Sequence, residues 1–253
     1  MLSIDLRGRR ALVTGGSRGV GAAAARMLAD AGADVGITYR TRATDAATVV
    51  ADLERRGARA FAAAGDLADP EVVEGIFEAA LRELGGLDLV IANAGIWPPE
   101  DVPIADMTSD QWHRTVAVNL DGVFYTVRAA ARVLEDGGRI VLVGSTAGQR
   151  GEPGHGDYAA TKGALISLVK GVAVELAPRD ITVNCVAPGW IDTEMAAVPY
   201  AGGGRSEVEA TIPLGRVATP EDVAGSIVFL CSSLARHITG ETLNVNGGAV
   251  LCG

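Results

Sequence analysis

Seven short apolar runs recur along the chain, each parted from the next by a longer amphipathic stretch, with no polar linker between them. Short runs bounded by glycine or turn residues read as strands, and the stretches between them carry helical periodicity. Strands are expected at Ala11–Val13, Asp34–Thr38, Ala58–Ala63, Leu87–Ala92, Arg139–Val143, Ile181–Val186 and Thr242–Val245. Helices are expected over residues 20–31, 43–56, 70–84 and 109–134, then from about Tyr158 to residue 177, and over 220–231, with Pro70 at a first helical position. Strand followed by helix throughout predicts one α/β domain over residues 1–253, doubly wound, with a seven-stranded parallel sheet and helices on both faces. Ligands of such sheets bind outside the carboxyl ends of the strands. Residues 189–215, which contain Gly202, Gly203 and Gly204, break the rhythm and are expected to form a substrate lid.

Composition narrows the partners. The chain is 48% hydrophobic but only 4% aromatic, so its core must be built from Ala, Val, Leu and Ile, as suits a sheet buried on both faces. A net charge of −9 argues against nucleic acid or an anionic membrane as partner. Cys185, Cys231 and Cys252 are odd in number and far apart, which reads as reduced buried thiols rather than a disulfide framework. His113, His155 and His237 are equally scattered, so no metal site is expected. The first ten residues lack the apolar core of a secretory signal, and no run approaches the ~18 apolar residues of a membrane span. A cytoplasmic location is expected.

After the first strand comes Thr14-Gly15-Gly16-Ser17-Arg18-Gly19-Val20-Gly21, leading into an alanine-rich helix. Glycines let the backbone approach a pyrophosphate closely, and the helix N-terminus offers free N–H groups to the anion. The order strand, glycine loop, helix is that of a Rossmann-type dinucleotide cradle. Farther along, Tyr158 and Lys162 stand four residues apart, on one face of a helix, and Ser145 closes the fifth apolar run. A lysine ammonium beside a phenol favours phenolate and lowers a pKa that is ordinarily about 10. Such a tyrosine is a general acid for a carbonyl oxygen, which the Ser145 hydroxyl would hold.

Taken together, these motifs resemble the short-chain dehydrogenase/reductase family over nearly the whole chain. Thr14-Gly-x-x-x-Gly-x-Gly21 is similar to that family's cofactor motif, Asn93-Ala94-Gly95 to its sheet-stabilising motif, and Asp66 to its adenine-contacting acid. Asn119, Ser145, Tyr158 and Lys162 match the catalytic positions, and Pro188-Gly189 the turn after the sixth strand. The resemblance implies a cofactor site formed by Thr14, Gly15, Ser17, Arg18, Gly19, Val20, Gly21, Tyr39, Arg40, Asp66, Leu67, Asn93, Ala94, Gly95, Pro188, Gly189, Ile191 and Thr193, with Tyr158 and Lys162 also touching it. By the same analogy, Lys162 bonds the nicotinamide ribose and Asn119 holds a relay water.

The second strand ends without the acid that grips the ribose of NAD, and Arg18 and Arg40 could converge on a 2′-phosphate, so NADPH/NADP+ is the expected cofactor. The pattern is most similar to 3-oxoacyl-[acyl-carrier-protein] reductases, which implies a small carbonyl substrate, free or carrier-protein-bound, and a homotetramer. In that group basic residues dock the carrier. Arg179 matches one of them, but Asp136 stands at the other, so a free small ketone stays open beside a 3-oxoacyl thioester. An NAD-dependent alcohol or sugar dehydrogenase and a non-catalytic NADP-binding regulator stay open as alternatives. Trp97, Trp190, Ile191, Met195 and Tyr200 are expected to line an apolar pocket. Gln149, Arg150 and His155 read as solvent-facing loop residues, Trp112 as helix core, and Arg7, Arg9 and Arg10 as a charged lead-in.

Overall fold

The structure is a computed structural model and describes residues 4–251. Its seven strands are β1 (Arg10–Val13), β2 (Asp34–Tyr39), β3 (Ala60–Ala64), β4 (Leu89–Ala92), β5 (Arg139–Val143), β6 (Thr182–Pro188) and β7 (Thr242–Val245). They form one parallel sheet in the order β3-β2-β1-β4-β5-β6-β7. The chain winds outward from β1 to β3, then crosses back to start β4 on the other side of β1. That reversal opens a crevice at the carboxyl ends of β1 and β4, the place where such sheets bind ligands.

Every residue of β4, β5 and β6 is buried, and apart from Arg139, Thr182 and Asn184 they are apolar. One face is covered by α1 (Gly19–Asp30), α2 (Ala43–Arg55) and α10 (Pro220–Cys231), whose Leu28, Val49, Leu53 and Ile227 pack with Val35 and Ile37. The other is covered by α3 (Pro70–Leu84), α5 (Gly122–Val133) and α7 (Gly156–Leu176), through Ile76, Phe77, Val123, Leu165 and Val169. Phe77 is the one aromatic in the buried core of the described residues. Small side chains set the spacing: Ala22, Ala23, Ala24 and Ala25 let α1 lie close to the sheet.

Helix ends follow their local chemistry. Asp69 accepts a bond from the Glu71 amide at 2.9 Å just ahead of Pro70, and Gly85 closes α3 in the left-handed conformation. Thr219 and Asp222 form a reciprocal capping box at the start of α10.

Three expectations need correction. The helix expected over 109–134 is two helices, α4 (Ser109–Val116) and α5, joined by a π turn at Ala117–Asp121. Trp112 is not helix core but 37% exposed, because α4 turns only Thr115 fully inward. Arg9 and Arg10 are more than a charged lead-in: Arg10 Nε donates to Asp88 at 2.7 Å and ties β1 to the entry of β4. Residues 189–215, where a lid is expected, carry short helical turns at Glu194–Ala196 and Ala201–Gly203 beside α8 (Ala197–Tyr200) and α9 (Gly204–Ala210). Cys185 and Cys231 are buried free thiols, and Cys252 lies outside the described residues.

Candidate active site

The glycine loop is locked to the sheet at the switch point. The Thr14 hydroxyl accepts bonds from the Asn93 and Ala94 amides at 2.9 and 3.0 Å, while the Asn93 side chain donates to the carbonyls of Thr14 and Gly15. From the β2 side, the Thr38 hydroxyl accepts from the Gly15 amide at 3.1 Å. The loop requires glycine at several positions. A Cβ on Gly21 would lie 2.3 Å from the Gly15 carbonyl oxygen, and Gly19 sits at φ +53°. The N-terminus of α1 has no side-chain cap and no acid in its first turn, so its amides are available to an anion.

Along the crevice runs a cavity of about 550 Å³. Gly15, Ser17, Arg18, Gly19 and Val20 line one part of it, with Tyr39, Arg40, Asp66 and Leu67 beyond. Asn93, Ala94 and Gly95 lie in its middle, and Pro188, Gly189, Ile191 and Thr193 close its roof. Ser145, Tyr158 and Lys162 line it together. Three expected residues lie behind the wall instead. Thr14 and Gly21 shape the loop from beneath, and Asn119 is fully buried in the π turn. Asn119 accepts from the Ile96 amide and donates to the Ile96 carbonyl, each at 2.8 Å. A Cβ on Gly95 would stand 3.2 Å from Asn119 Oδ1 and 3.6 Å from Lys162 Nζ, so the three groups share one corner. Interrupted hydrogen bonding of this kind in a helix often accompanies a site.

The electrostatics differ from the sequence expectation. Lys162 Nζ lies 5.7 Å from the Tyr158 ring centroid and donates to the Val143 carbonyl at 2.8 Å. Burial lowers the Lys162 pKa to about 8. Burial likewise pushes the Tyr158 phenol up to about 12, with the Ser145 hydroxyl pulling it down and the Glu152 carboxylate adding to the rise. The expected lowering of the tyrosine pKa by the lysine is therefore not what the protein's own groups produce. Desolvation is the largest influence on Tyr158, and the same burial disfavours the charged form of Lys162.

The opposite end of the cavity holds a charge cluster that the sequence reading only half found. Arg18 pairs with Glu194, and Arg42 pairs with the same carboxylate at 2.9 Å. Arg40 reaches Asp66 at 3.5 Å. Arg42, Glu194 and Thr38 were absent from the expected set. Arg42 stands only two residues past Arg40, a proximity that could have drawn attention to it. Glu194 comes from the far end of the chain, with no local signal.

Over the reacting end stands an aromatic wall. The Trp97 ring lies 4.6 Å from that of His155 and 6.0 Å from that of Trp190, which in turn lies 5.9 Å from Tyr200. His155 is not the solvent-facing residue expected. It is buried, and its Nε2 meets Asp101 Oδ1 at 2.9 Å. Gln149 donates to Asn244 at 2.6 Å, whereas Arg150 is exposed and does line the cavity. Glu152 was also missed. It is half-buried on the cavity wall, and burial raises its pKa.

Arg179 and Asp136 are far from this mouth. They precede β6 and β5, at the opposite strand ends from Ser145, about 16 Å away at the rise of a strand. Arg179 is also engaged: it donates to Asp136 at 2.9 Å and to the carbonyls of Ala131 and Leu134.

Comparison with known proteins agrees with this geometry. A family model described as enoyl-(acyl carrier protein) reductase matches residues 15–250. The 3-oxoacyl-[acyl-carrier-protein] reductase of Aquifex aeolicus is 38% identical, over 98% of this chain and 99% of its own. An L-rhamnose 1-dehydrogenase (NAD(P)(+)) of a Sphingomonas strain is 40% identical over 96% of each chain. Among solved structures, a short-chain dehydrogenase of Burkholderia cenocepacia in complex with NADP superposes with a TM-score of 0.91 at 42% identity, covering 96% of this chain and 98% of its own.

Proposed function

The chain belongs to the short-chain dehydrogenase/reductase family of oxidoreductases, and from that premise we propose that it is an NADPH-dependent ketoreductase for a small free carbonyl compound. The observation that carries this reading is the joint presence of Ser145, Tyr158 and Lys162 on one cavity whose other end is ringed by Arg18, Arg40 and Arg42. The residues fit NADPH. The uncapped α1 N-terminus suits a pyrophosphate, and β2 ends without an acid that would repel a 2′-phosphate. Arginine guanidinium groups suit such a phosphate, and it would contend with Glu194 for Arg18 and Arg42.

The bound nicotinamide supplies the hydride. In the proposed reduction, the Ser145 hydroxyl holds the substrate carbonyl oxygen and Tyr158 delivers a proton to it. Burial raises the phenol pKa, so Tyr158 still carries at neutral pH the proton that it would deliver. Lys162 stands behind it with a pKa near 8, able to pass a proton within the working range, and Asn119 braces the same corner. We place residues 189–215 over the crevice as the substrate lid, with Trp190 and Met195 on its inner surface.

A free substrate is favoured over a carrier-bound one because Arg179 is engaged and on the wrong edge of the sheet. NADPH absorbance, followed against β-ketoacyl thioesters and free cyclic ketones with NADH in parallel, tests the reading. Turnover of free ketones with a clear preference for NADPH is expected. Turnover of thioesters alone, or equal use of NADH, refutes it.

A further inference from the structure

The ketoreductase chemistry leaves the carboxylate of Glu152 without a task. Glu152 presents a carboxylate to the cavity that also holds Ser145 and Tyr158, although hydride transfer to a plain ketone needs no negative charge there. A lone carboxylate on the wall of an apolar pocket is unfavourable unless something donates to it. The protein's own groups satisfy it only in part. Arg150, His155 and the Trp97 indole favour its charged form, and Asp101 opposes it, yet burial prevails and its pKa is raised.

Its surroundings are fixed rather than loose. Trp97 lies against His155, which is held by Asp101, and the Val102 amide donates to the Gly154 carbonyl at 2.9 Å. Those contacts pin the segment after β4 to the segment carrying Glu152. The carboxylate and the Trp97 and Trp190 rings therefore form one built surface. Glu152 lines the same cavity as Ser145 and Tyr158, on the segment that runs between them. Arg150, of opposite sign, lines the same cavity, so the wall favours no net ionic charge on the substrate. A neutral donor that the carboxylate can accept from, carried on a ring or chain whose C–H face lies on the indoles, satisfies every group present.

We propose that Glu152 is the specificity-determining residue of this cavity, accepting a hydroxyl group carried close to the reacting carbon, so that the substrate is a hydroxyketone or its diol product rather than a simple ketone. This rests on the ketoreductase reading and narrows its substrate class. An alkyl or acyl chain in that place would desolvate the carboxylate further and add no donor to the Trp97 indole. Sites built to bond a substrate hydroxyl discriminate strongly against the analogue that lacks it.

The test uses a matched pair, 2-hydroxycyclohexanone and cyclohexanone, with NADPH and the whole protein. Wild type is expected to favour the hydroxyketone in kcat/KM by about 30-fold or more. Glu152→Leu is expected to reduce that ratio by about tenfold or more, mainly through KM for the hydroxyketone, and Glu152→Gln, which keeps an acceptor oxygen, by a smaller factor. NADPH titration by fluorescence reports whether each variant is folded. A wild-type preference for cyclohexanone, or a ratio unmoved in both variants, overturns this inference and leaves the ketoreductase reading standing. Failure of wild type to turn over either ketone, or cyclohexane-1,2-diol with NADP+, overturns both.

Discussion

Burial, more than pairing, sets the properties of the two central side chains. Tyr158 and Lys162 are moved in opposite directions by one cause, since a low-dielectric corner disfavours both phenolate and ammonium. For Tyr158→Phe we expect NADPH affinity within about twofold of wild type and a fall in kcat of at least about 10³, as measured by fluorescence titration and steady-state rates. Lys162 makes a separate prediction about stability. Its pKa falls from 10.5 in the free side chain to about 8 in the fold. Below pH 8 both folded and unfolded chains hold the proton, and the native state bears the full cost of burying the charge. Between pH 8 and 10.5 the folded chain gives up its proton first, so this cost fades as pH rises. Lys162→Met escapes the cost but leaves the Val143 carbonyl without its donor. Relative to wild type, the variant's Tm should therefore drop by several degrees from pH 7.5 to pH 10, at about 2–4 °C per kcal/mol. A difference that does not move with pH would mean that Lys162 is not buried as a charge.

At the scale of elements, the glycine loop, the end of β2 and the segment after β6 meet through side chains that none of them specifies alone. Glu194, in the first turn of that segment, occupies both Arg18 and Arg42. Removing it in Glu194→Ala should free two cations for a 2′-phosphate and tighten NADPH binding about threefold to tenfold, with little change for NADH. Equal effects on the two cofactors would show that these arginines do not face the 2′-position. The β2–β3 pair carries a different dependence. A Cβ on Gly36 would meet the Phe61 ring at 2.2 Å, so the ring lies across the glycine. Gly36→Val should cost about 1–3 kcal/mol by overpacking, read as a fall in Tm, and Phe61→Ala should recover part of that loss in the double variant. The π turn at Ala117–Asp121 interrupts the helix predicted over 109–134, and apolar periodicity could not have shown it. The turn places Asn119 against Ile96 and Gly95 through contacts that close only when α4 and α5 pack on the sheet.

For the whole molecule, the reversal of strand order between β1 and β4 brings the loops after six strands to one crevice. We expect a homotetramer, in keeping with the family resemblance. Phe124 on α5 and Val174 on α7 are exposed large apolar side chains that assembly would cover. Light scattering after gel filtration should return four times the chain mass of 25.9 kDa, and a monomer would refute the expectation. Much of this architecture was legible beforehand. Alternating apolar runs and helical stretches specify a doubly wound parallel sheet because strand and helix periods are local, and crossover handedness leaves few topologies. The glycine loop and the Ser145, Tyr158 and Lys162 spacing were equally readable, since each lies within one loop or one helix face. What only the tertiary structure decided is whatever depends on burial or on residues far apart in the chain. Arg42 and Glu194 meet across 152 positions, Glu152 comes to stand by Trp97, His155 turns inward, and the Tyr158 pKa rises where proximity to a lysine had suggested a fall. Charge and desolvation energies are set by what surrounds a group in space, and that surrounding exists only once the crossovers have packed.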